Sequence, residues 1–440
     1  MDPEALISLR SSRQRFESPG SRLSNSRGRY RFFRGSSLMV FAVLAFESQN
    51  ETPVLPKRQV KNGVVFLSHD STARSRAPEL TLEPRPLTTI VGMGSDHSWF
   101  LTANQDAFAI LPNGRIAALI KAQNQIAIWS GEGQLLKLIG RSGSGPGELS
   151  GALTFSLVSP DTLLVPDFAN GRLNWVTASK GFVKSTSLLG RVPLDGAVLA
   201  GSFPNGDLVF TSAGLWQQGD AVTRTRAAIR VLRSAGTSAQ IAAIADLELV
   251  QVQSRFRGNP RIIQMPLGFT RQAHVVVWDS LIATGSGNGF TIELRDAGGR
   301  QVGLLSLFGR PRKVTPQMRT ASVAADIERL NAPTGEPFRD RGESERLRRE
   351  LPYSDSLPPY GRWFVSPNNT LWITDYRVPG EASWSAIAFR PDGAIVGRLK
   401  VENGSTPVAF GDDRVLVSTE DNDGVVTLRA YRIRNRRIPQ

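Results

Sequence analysis

From about residue 76 onward, the hydrophobic positions fall in short runs separated by turn residues, a pattern typical of β-strands. Each repeat opens with a strand and a tight turn, and the turns are centred on residues 113, 160, 205, 279, 368 and 412. The strands that follow these turns read RIAALI, TLLVPD, DLVFTS, LIATGS, TLWITD and RVLVST. Asn, Asp and Gly occupy the turns because tight hairpins need positive φ angles or side-chain bonds to the backbone.

A second tight turn recurs later in most repeats. Its last residue is Gly133, Gly181, Gly236, Gly299 or Gly393, so the spacing grows from 48 to 94 residues as insertions are added. Helical periodicity is nearly absent before about residue 316. Four antiparallel strands per repeat at such a period favour a β-propeller over other repeat folds.

The strand pattern closes after six repeats. They begin near Asp106, Leu153, Gly196, Phe269, Gly361 and Thr406. The sixth repeat supplies three strands, so we expect the stretch Pro78–Gly92 to add the fourth and to leave no open edge in the ring. The sequence therefore predicts an all-β, six-bladed β-propeller over residues 57–440, with four antiparallel strands per blade and an N-terminal strand closing the last blade.

One insertion, at about residues 310–360 between blades 4 and 5, carries the helical signals. Thr315 and Pro316 are suited to begin a helix, and Glu343–Leu351 places Leu347 and Leu351 four residues apart. Two interpretations remain open for this small helical insertion: a lid or partner-docking arm, and a plug packed over one blade.

Composition excludes several kinds of chemistry. The chain has no Cys and three His, which excludes disulfides, cysteine nucleophiles and zinc fingers and leaves little for His-based sites. The net charge is +14, from 53 basic and 39 acidic residues, but no run of five or six like charges occurs. Nucleic-acid binding is therefore disfavoured, although RNA binding by a basic propeller face stays an alternative.

The N-terminal segment, residues 1–56, is a basic leader in which Leu38–Phe46 forms an apolar run. Nine residues are too few to span a bilayer, which takes about 20, but they fit the apolar core of a secretory signal. We therefore expect a periplasmic or extracellular protein without a stable transmembrane span, or a cytoplasmic one if this segment is not a signal. Residues 47–75 are predicted to be a linker.

Two segments resemble a known family. Gly140–Leu149 reads GRSGSGPGEL and is similar to the GRxGxGPGEF segment of bacterial six-bladed β-propellers related to NHL-repeat proteins. Leu357–Ile373 resembles their Pro-rich loop that leads into a GxLWV strand. The sequence departs from the family pattern at Leu149, where Phe is usual, and at Asn369, where Gly is usual. The resemblance implies the fold and export, and little about chemistry.

The long connections all fall on one face of the predicted ring, which we call the long-loop face. They are Thr211–Arg226, Glu248–Gly268 and Arg310–Tyr360, whereas the opposite face has only the tight turns. Binding residues tend to lie on long loops that a rigid scaffold positions. Candidate ligand-binding residues on this face are Asp167, Arg172, Trp216, Asp375, Tyr376, Arg377, Trp384, Glu420, Asp421 and Asp423.

These residues are compatible with more than one function. The leading hypothesis is a monomeric binding or scaffold propeller that recognises a protein, peptide or glycan, with Trp216 and Trp384 able to stack on a sugar or base. Carboxylates from separate blades could instead hold a divalent cation, with Ca²⁺ the ion best suited to such oxygen ligands, in a metal-dependent hydrolase or lyase. No catalytic residue is assigned.

Overall fold

The computed structural model describes residues 52–93, 101, 107–193, 196–212, 222–256, 259–331, 341–421 and 424–435. The N-terminal elements are β1 (Lys57–Lys61), β2 (Val64–His69), α1 (Ala73–Arg76), β3 (Glu79–Leu82) and β4 (Thr88–Val91). Among the described residues, no helix is long and apolar enough to cross a membrane.

Antiparallel sheets follow one another along the chain. The first unit contains β5 (Ala107–Ile110), β6 (Ile116–Ile120), β7 (Gln125–Trp129) and β8 (Leu135–Ile139), with a single 3-10 turn at Lys121–Gln123. The second contains β9 (Ser156–Ser159), β10 (Thr162–Asp167), β11 (Arg172–Thr177) and β12 (Gly181–Ser187). The third contains β13 (Ala197–Ser202), β14 (Leu208–Ser212), β15 (Val222–Leu232), β16 (Ser238–Phe256) and β17 (Asn259–Pro266).

The later units repeat this order. The next contains β18 (His274–Trp278), β19 (Leu281–Gly285), β20 (Thr291–Arg295) and β21 (Gln301–Leu307), followed by α2 (Pro316–Asn331) and α3 (Arg341–Glu350). After the helices come β22 (Trp363–Val365), β23 (Leu371–Thr374), β24 (Trp384–Phe389) and β25 (Ile395–Val401). The last strands are β26 (Thr406–Phe410), β27 (Arg414–Glu420) and β28 (Val426–Asn435).

The first strand of each unit lies at the centre of the molecule. β22 lies between β18 and β26, β13 lies between β9 and β18, and β26 lies next to β5, so the order returns from the last unit to the first. Residues from all these inner strands line one central cavity of about 460 Å³. Radial four-stranded sheets around a central cavity are the arrangement of a β-propeller.

Separate buried clusters fill the interfaces between neighbouring sheets. Leu119 of the first unit packs with Leu163 of the second, and Ile116 of the first unit packs with Leu428 of the last. All five residues of β6 are buried, since a sheet inside the ring is covered on both faces. This explains why the inner and middle strands read as continuous apolar runs.

Strands β3 and β4 join the ring at its fifth and last sheets. β4 pairs with β28 in antiparallel register, Val91 opposite Thr427, and so occupies the outer edge of the last sheet. β3 pairs in parallel with β25 and antiparallel with the end of β28. The stretch Pro78–Gly92 therefore contributes two short strands to the ring.

The prediction that residues 47–75 form a linker is wrong for residues 52–75, which the structure describes. β1 and β2 form a hairpin, and β2 pairs in parallel with β21, the outer strand of the fourth unit. Leu67 and His69 of β2 are buried beside the fourth and fifth sheets. The apolar pattern missed this hairpin because all five residues of β1 are exposed and only one face of β2 is buried. The signal that marks it is the turn Asn62-Gly63, in which both residues have positive φ.

The long-loop face carries the insertions. β16 is 19 residues long, and its second half pairs with β17 to extend the third sheet beyond the ring. α3 packs on this extension through Leu347, and Leu351 just after the helix joins the same buried cluster. α2 begins at Pro316, where the sequence places a helix start, and it packs on α3.

Candidate functional site

A cavity of about 370 Å³ opens on the long-loop face. Three inner strands, β18, β22 and β26, begin beside it, and β23 ends there, so side chains from neighbouring sheets converge on one space. Its lining includes four residues that the sequence singled out, namely Asp375, Tyr376, Arg377 and Trp384. The rest of the lining is Thr270, Gln272, His274, Gly287, Pro358, Tyr360, Gly361, Arg362, Thr374, Thr406 and Pro407.

Asp375 follows β23, and each of its carboxylate oxygens has a partner within the protein. Its Oδ1 forms an ion pair with Arg74 of α1, and its Oδ2 accepts a hydrogen bond from the Ser385 hydroxyl. The carboxylate thus joins the short N-terminal helix to the fifth sheet. Its negative charge is balanced within the protein.

Arg377 and Trp384 are held by the scaffold. Arg377 Nε donates to the Glu381 carbonyl at 2.7 Å, and its Nη1 donates to the Ser405 carbonyl at 2.8 Å. Burial lowers the pKa of Arg377. Trp384 is 4% exposed, and its Nε1 donates to Ser405 Oγ at 3.2 Å. These two residues form the floor between the fifth and sixth sheets, with little surface for stacking on a ligand.

Two tyrosines form aromatic walls of the cavity. Burial raises the pKa of both Tyr360 and Tyr376 to about 12, so both are neutral phenols at pH 7. The Tyr360 hydroxyl accepts a hydrogen bond from the Gly287 amide at 2.8 Å. Tyr376 packs edge-on against Phe269, with ring centroids 6.0 Å apart.

His274, at the start of β18, is an uncharged member of the lining. Its imidazole stacks on Trp363 at 5.3 Å between centroids and meets Tyr360 edge-on at the same distance. Burial lowers its pKa to about 4, so the ring is neutral at pH 7. No described residue forms a hydrogen bond with its ring nitrogens, which leaves one donor and one acceptor for a ligand.

Arg362, just before β22, differs from the other arginines at this cavity. Its guanidinium lies 5.8 Å from the centroid of the Phe364 ring. Among the described residues, no carboxylate pairs with it and no carbonyl accepts from its side chain. It is a solvent-exposed cation in the cavity lining, and its side-chain donors have no acceptor among the described residues.

Asp167 and Arg172 lie away from this cavity and fix the Gly-rich loop at 140–149. Asp167 is 0% exposed, and its Oδ1 accepts from the Ser150 and Gly151 amides at 3.2 and 2.9 Å. Its Oδ2 accepts from Asn170 Nδ2 at 2.6 Å and lies 3.6 Å from Arg172 Nε.

The loop itself is closed by a second set of bonds. Arg172 donates to the carbonyls of Ser144, Gly145 and Glu148 at 2.7–2.9 Å. The Gly145 amide and Arg141 hydrogen-bond to the Glu148 carboxylate and lower its pKa. Leu149, the departure from the family pattern, is 2% exposed and packs between the first two sheets. This segment therefore joins two neighbouring sheets.

The other predicted site residues are scattered. Glu420 ends β27, and Asp421 Oδ1 accepts from the Val425 amide at 2.8 Å in the following turn. Neither lines the cavity. Trp216 and Asp423 lie outside the described residues. Within the described ranges, no group of three or more His, Asp or Glu side chains is placed to hold a metal ion.

Sequence reasoning did not select His274 and Arg362. His274 reads as one of three unclustered histidines, and Arg362 as one of many arginines. The sequence signal that could have found them is their position, because each of the two residues lies where a long connection enters an inner strand. In a propeller that position faces the mouth of the ring.

Comparisons with known proteins find distant likenesses only. No family model and no curated protein matches the chain. A member of the DUF4221 family from Bacteroides vulgatus is 13% identical, with a TM-score of 0.45, and the alignment covers 82% of this chain and 99% of that one. A protein described as exported, from Bacteroides fragilis, is 12% identical, with a TM-score of 0.43 and coverages of 84% and 100%. A streptogramin B lyase is 11% identical, with a TM-score of 0.37 and coverages of 80% and 98%. At these scores, the fold assignment rests on the strand pairing described above.

Proposed function

We propose that this protein is a binding propeller that acts outside the cytoplasm and recognises a protein, peptide or glycan through its long-loop face. In this proposal the ring has six blades, β4 closes the last one, and the chain works as a monomer. The leader with its apolar run Leu38–Phe46 directs export.

The observation that carries the proposal is the cavity on the long-loop face. Its volume, about 370 Å³, lies within the range of small-ligand pockets. It combines aromatic walls with the free polar groups of His274 and Arg362. Pockets of this kind, largely apolar with a few unpaired polar groups, are the usual form of a binding site.

The insertion adds a firmly attached surface around this mouth. Arg346 of α3 donates to the Gln253 carbonyl at 2.8 Å, and Glu343 accepts from the Arg255 amide at 2.8 Å. An open groove between α2 and α3, of about 740 Å³, includes Val323 and Ile327. These contacts favour an arm that is held against the β16–β17 extension as part of a preformed surface.

The test is to screen the full chain against a glycan array and a random peptide library. We expect binders whose binding is lost in Tyr376→Ala and weakened when residues 315–351 are replaced by a short Gly/Ser linker. The linker can close this gap because Lys313 and Ser356 already pair in an antiparallel bridge.

A matched control lies in the fifth sheet on the tight-turn face of the ring, opposite the long-loop face. Asp392, in the tight turn before β25, is half exposed, so Asp392→Asn should bind like the unmodified chain. Binders that are insensitive to Tyr376→Ala but lost in Asp392→Asn would place recognition on the wrong face and contradict the proposal. The metal-dependent and RNA-binding alternatives stay predictions, to be tested by chelation and by the salt dependence of RNA binding.

A further inference from the structure

The charges around the cavity are not balanced. Arg74 is paired with Asp375, and the Arg377 guanidinium donates hydrogen bonds to backbone carbonyls. Arg362 alone among these three has no acceptor within the described residues. Arg362 is exposed to solvent in the cavity lining, so its N–H donors are accessible to a ligand. A site that keeps such a cation is suited to an anion that arrives from solution.

From this imbalance we propose that the cavity is a carboxylate-binding site, in which Arg362 receives the single negative charge of a ligand whose remainder is apolar. This inference rests on the binding function proposed above and names the chemistry of its ligand.

The neighbouring groups favour a carboxylate over a phosphate. A guanidinium binds the two oxygens of a carboxylate through parallel N–H donors, and Gln272 and neutral His274 supply further donors in the same lining. Asp375 lines the cavity as well, but Arg74 already balances its charge, so this pair adds no net positive charge for a dianion. One charge can be matched at Arg362, while a second would meet no free cation among the described lining residues.

The walls of the cavity favour a ligand that is apolar apart from its carboxylate. Tyr360, Tyr376 and Pro358 line the cavity, and the Phe364 ring lies beneath the guanidinium at 5.8 Å. A cation held over a ring keeps its N–H edge available, which orients the fork toward a planar partner. The volume of about 370 Å³ suits a small acid or the last residue of a peptide.

The experiment is isothermal titration of the full chain at pH 7 with four probes. Phenylacetate and N-acetyl-L-phenylalanine carry the carboxylate, phenylacetamide is the neutral isostere, and inorganic phosphate tests general anion binding. We expect at least one of the two acids to bind, about tenfold or more tighter than the amide, which is what a lost charged hydrogen bond costs. Preference for N-acetyl-L-phenylalanine identifies a peptide C-terminus as the source, and preference for phenylacetate identifies a free acid.

Two variants make the test specific. Arg362→Gln should weaken the acid by about tenfold or more while Arg362→Lys retains part of the affinity. Arg390→Gln, on the tight turn at the other end of the fifth sheet, is the control and should bind like the unmodified chain. Because Arg362 is exposed and its side chain has no hydrogen-bond partner among the described residues, Arg362→Gln should melt at about the same temperature as the unmodified chain.

Several outcomes would overturn the assignment. They are binding of neither acid, equal binding of acid and amide, phosphate binding as tightly as the acids, or a much lower melting temperature in Arg362→Gln. If the acids fail while the peptide or glycan screen still finds binders sensitive to Tyr376→Ala, only the carboxylate assignment is wrong and the binding function stands.

Discussion

Replacing Asp167 by Ala tests whether this carboxylate belongs to the scaffold. The side chain is fully buried and accepts hydrogen bonds from the Ser150 and Gly151 amides and from Asn170, with Arg172 beside it. Its loss leaves the two backbone amides without their acceptor, removes one acceptor of Asn170 and takes away the counter-charge beside Arg172. Removing one partner of a buried charged network costs about 3–5 kcal/mol, so we expect a loss of that size.

The assay is urea unfolding followed by tryptophan fluorescence, with the midpoint and slope fitted separately. A shifted midpoint at constant slope indicates a change in stability. Asp392→Asn is the control, because a half-exposed turn carboxylate contributes at most about 1 kcal/mol. An Asp167→Ala variant within about 1 kcal/mol of the unmodified chain would refute the reasoning and reopen a ligand-binding role for this residue.

Three further predictions concern the ring. First, the pKa of His274 is about 4 in the folded chain and 6.5 in the unfolded chain, so the unfolded state takes up the proton first as pH falls. The free energy of unfolding, at its full value above pH 6.5, should therefore drop by about 2 kcal/mol between pH 7 and pH 5. Urea titrations at both pH values should show that His274→Gln loses this dependence. Second, Asn369 has φ +61° and its carbonyl accepts from Trp278 Nε1 at 2.9 Å, so Asn369→Ala should cost about 1 kcal/mol while Asn369→Gly stays close to neutral by urea midpoint. Third, Leu67→Ala should cost about 2–4 kcal/mol in the same assay, because Leu67 is 7% exposed inside the interface; a loss below about 1 kcal/mol would show that the N-terminal hairpin does not share the core.

The repeat made most of the fold predictable. Apolar strands with turn residues at fixed places indicate an all-β ring, and Asn369 shows how local chemistry carries that signal, because Asn tolerates the left-handed conformation that the turn requires. The hairpin of β1 and β2 was missed because it lies outside the repeat, and its attachment to the ring joins residues far apart in sequence. β2 meets β21, over 230 residues away, and no local pattern reports such a pairing.

The candidate site was predictable only in its location. Long loops identified the face, and Asp375, Tyr376, Arg377 and Trp384 do line one cavity there. Their roles could not be read from sequence, since whether an arginine is free depends on which acceptors the fold brings to it. Arg377 meets backbone carbonyls and Arg362 meets none among the described residues, although both are single arginines beside apolar strands.

The most direct measurement of the central claim is a crystallographic soak of the full chain with a mixed set of acidic, basic and neutral fragments. The account predicts that fragments gather in the cavity on the long-loop face, and that the acidic ones place their carboxylate on Arg362 beside His274. Fragments found only in the central cavity or on the tight-turn face, with this cavity empty at every soak, would contradict it.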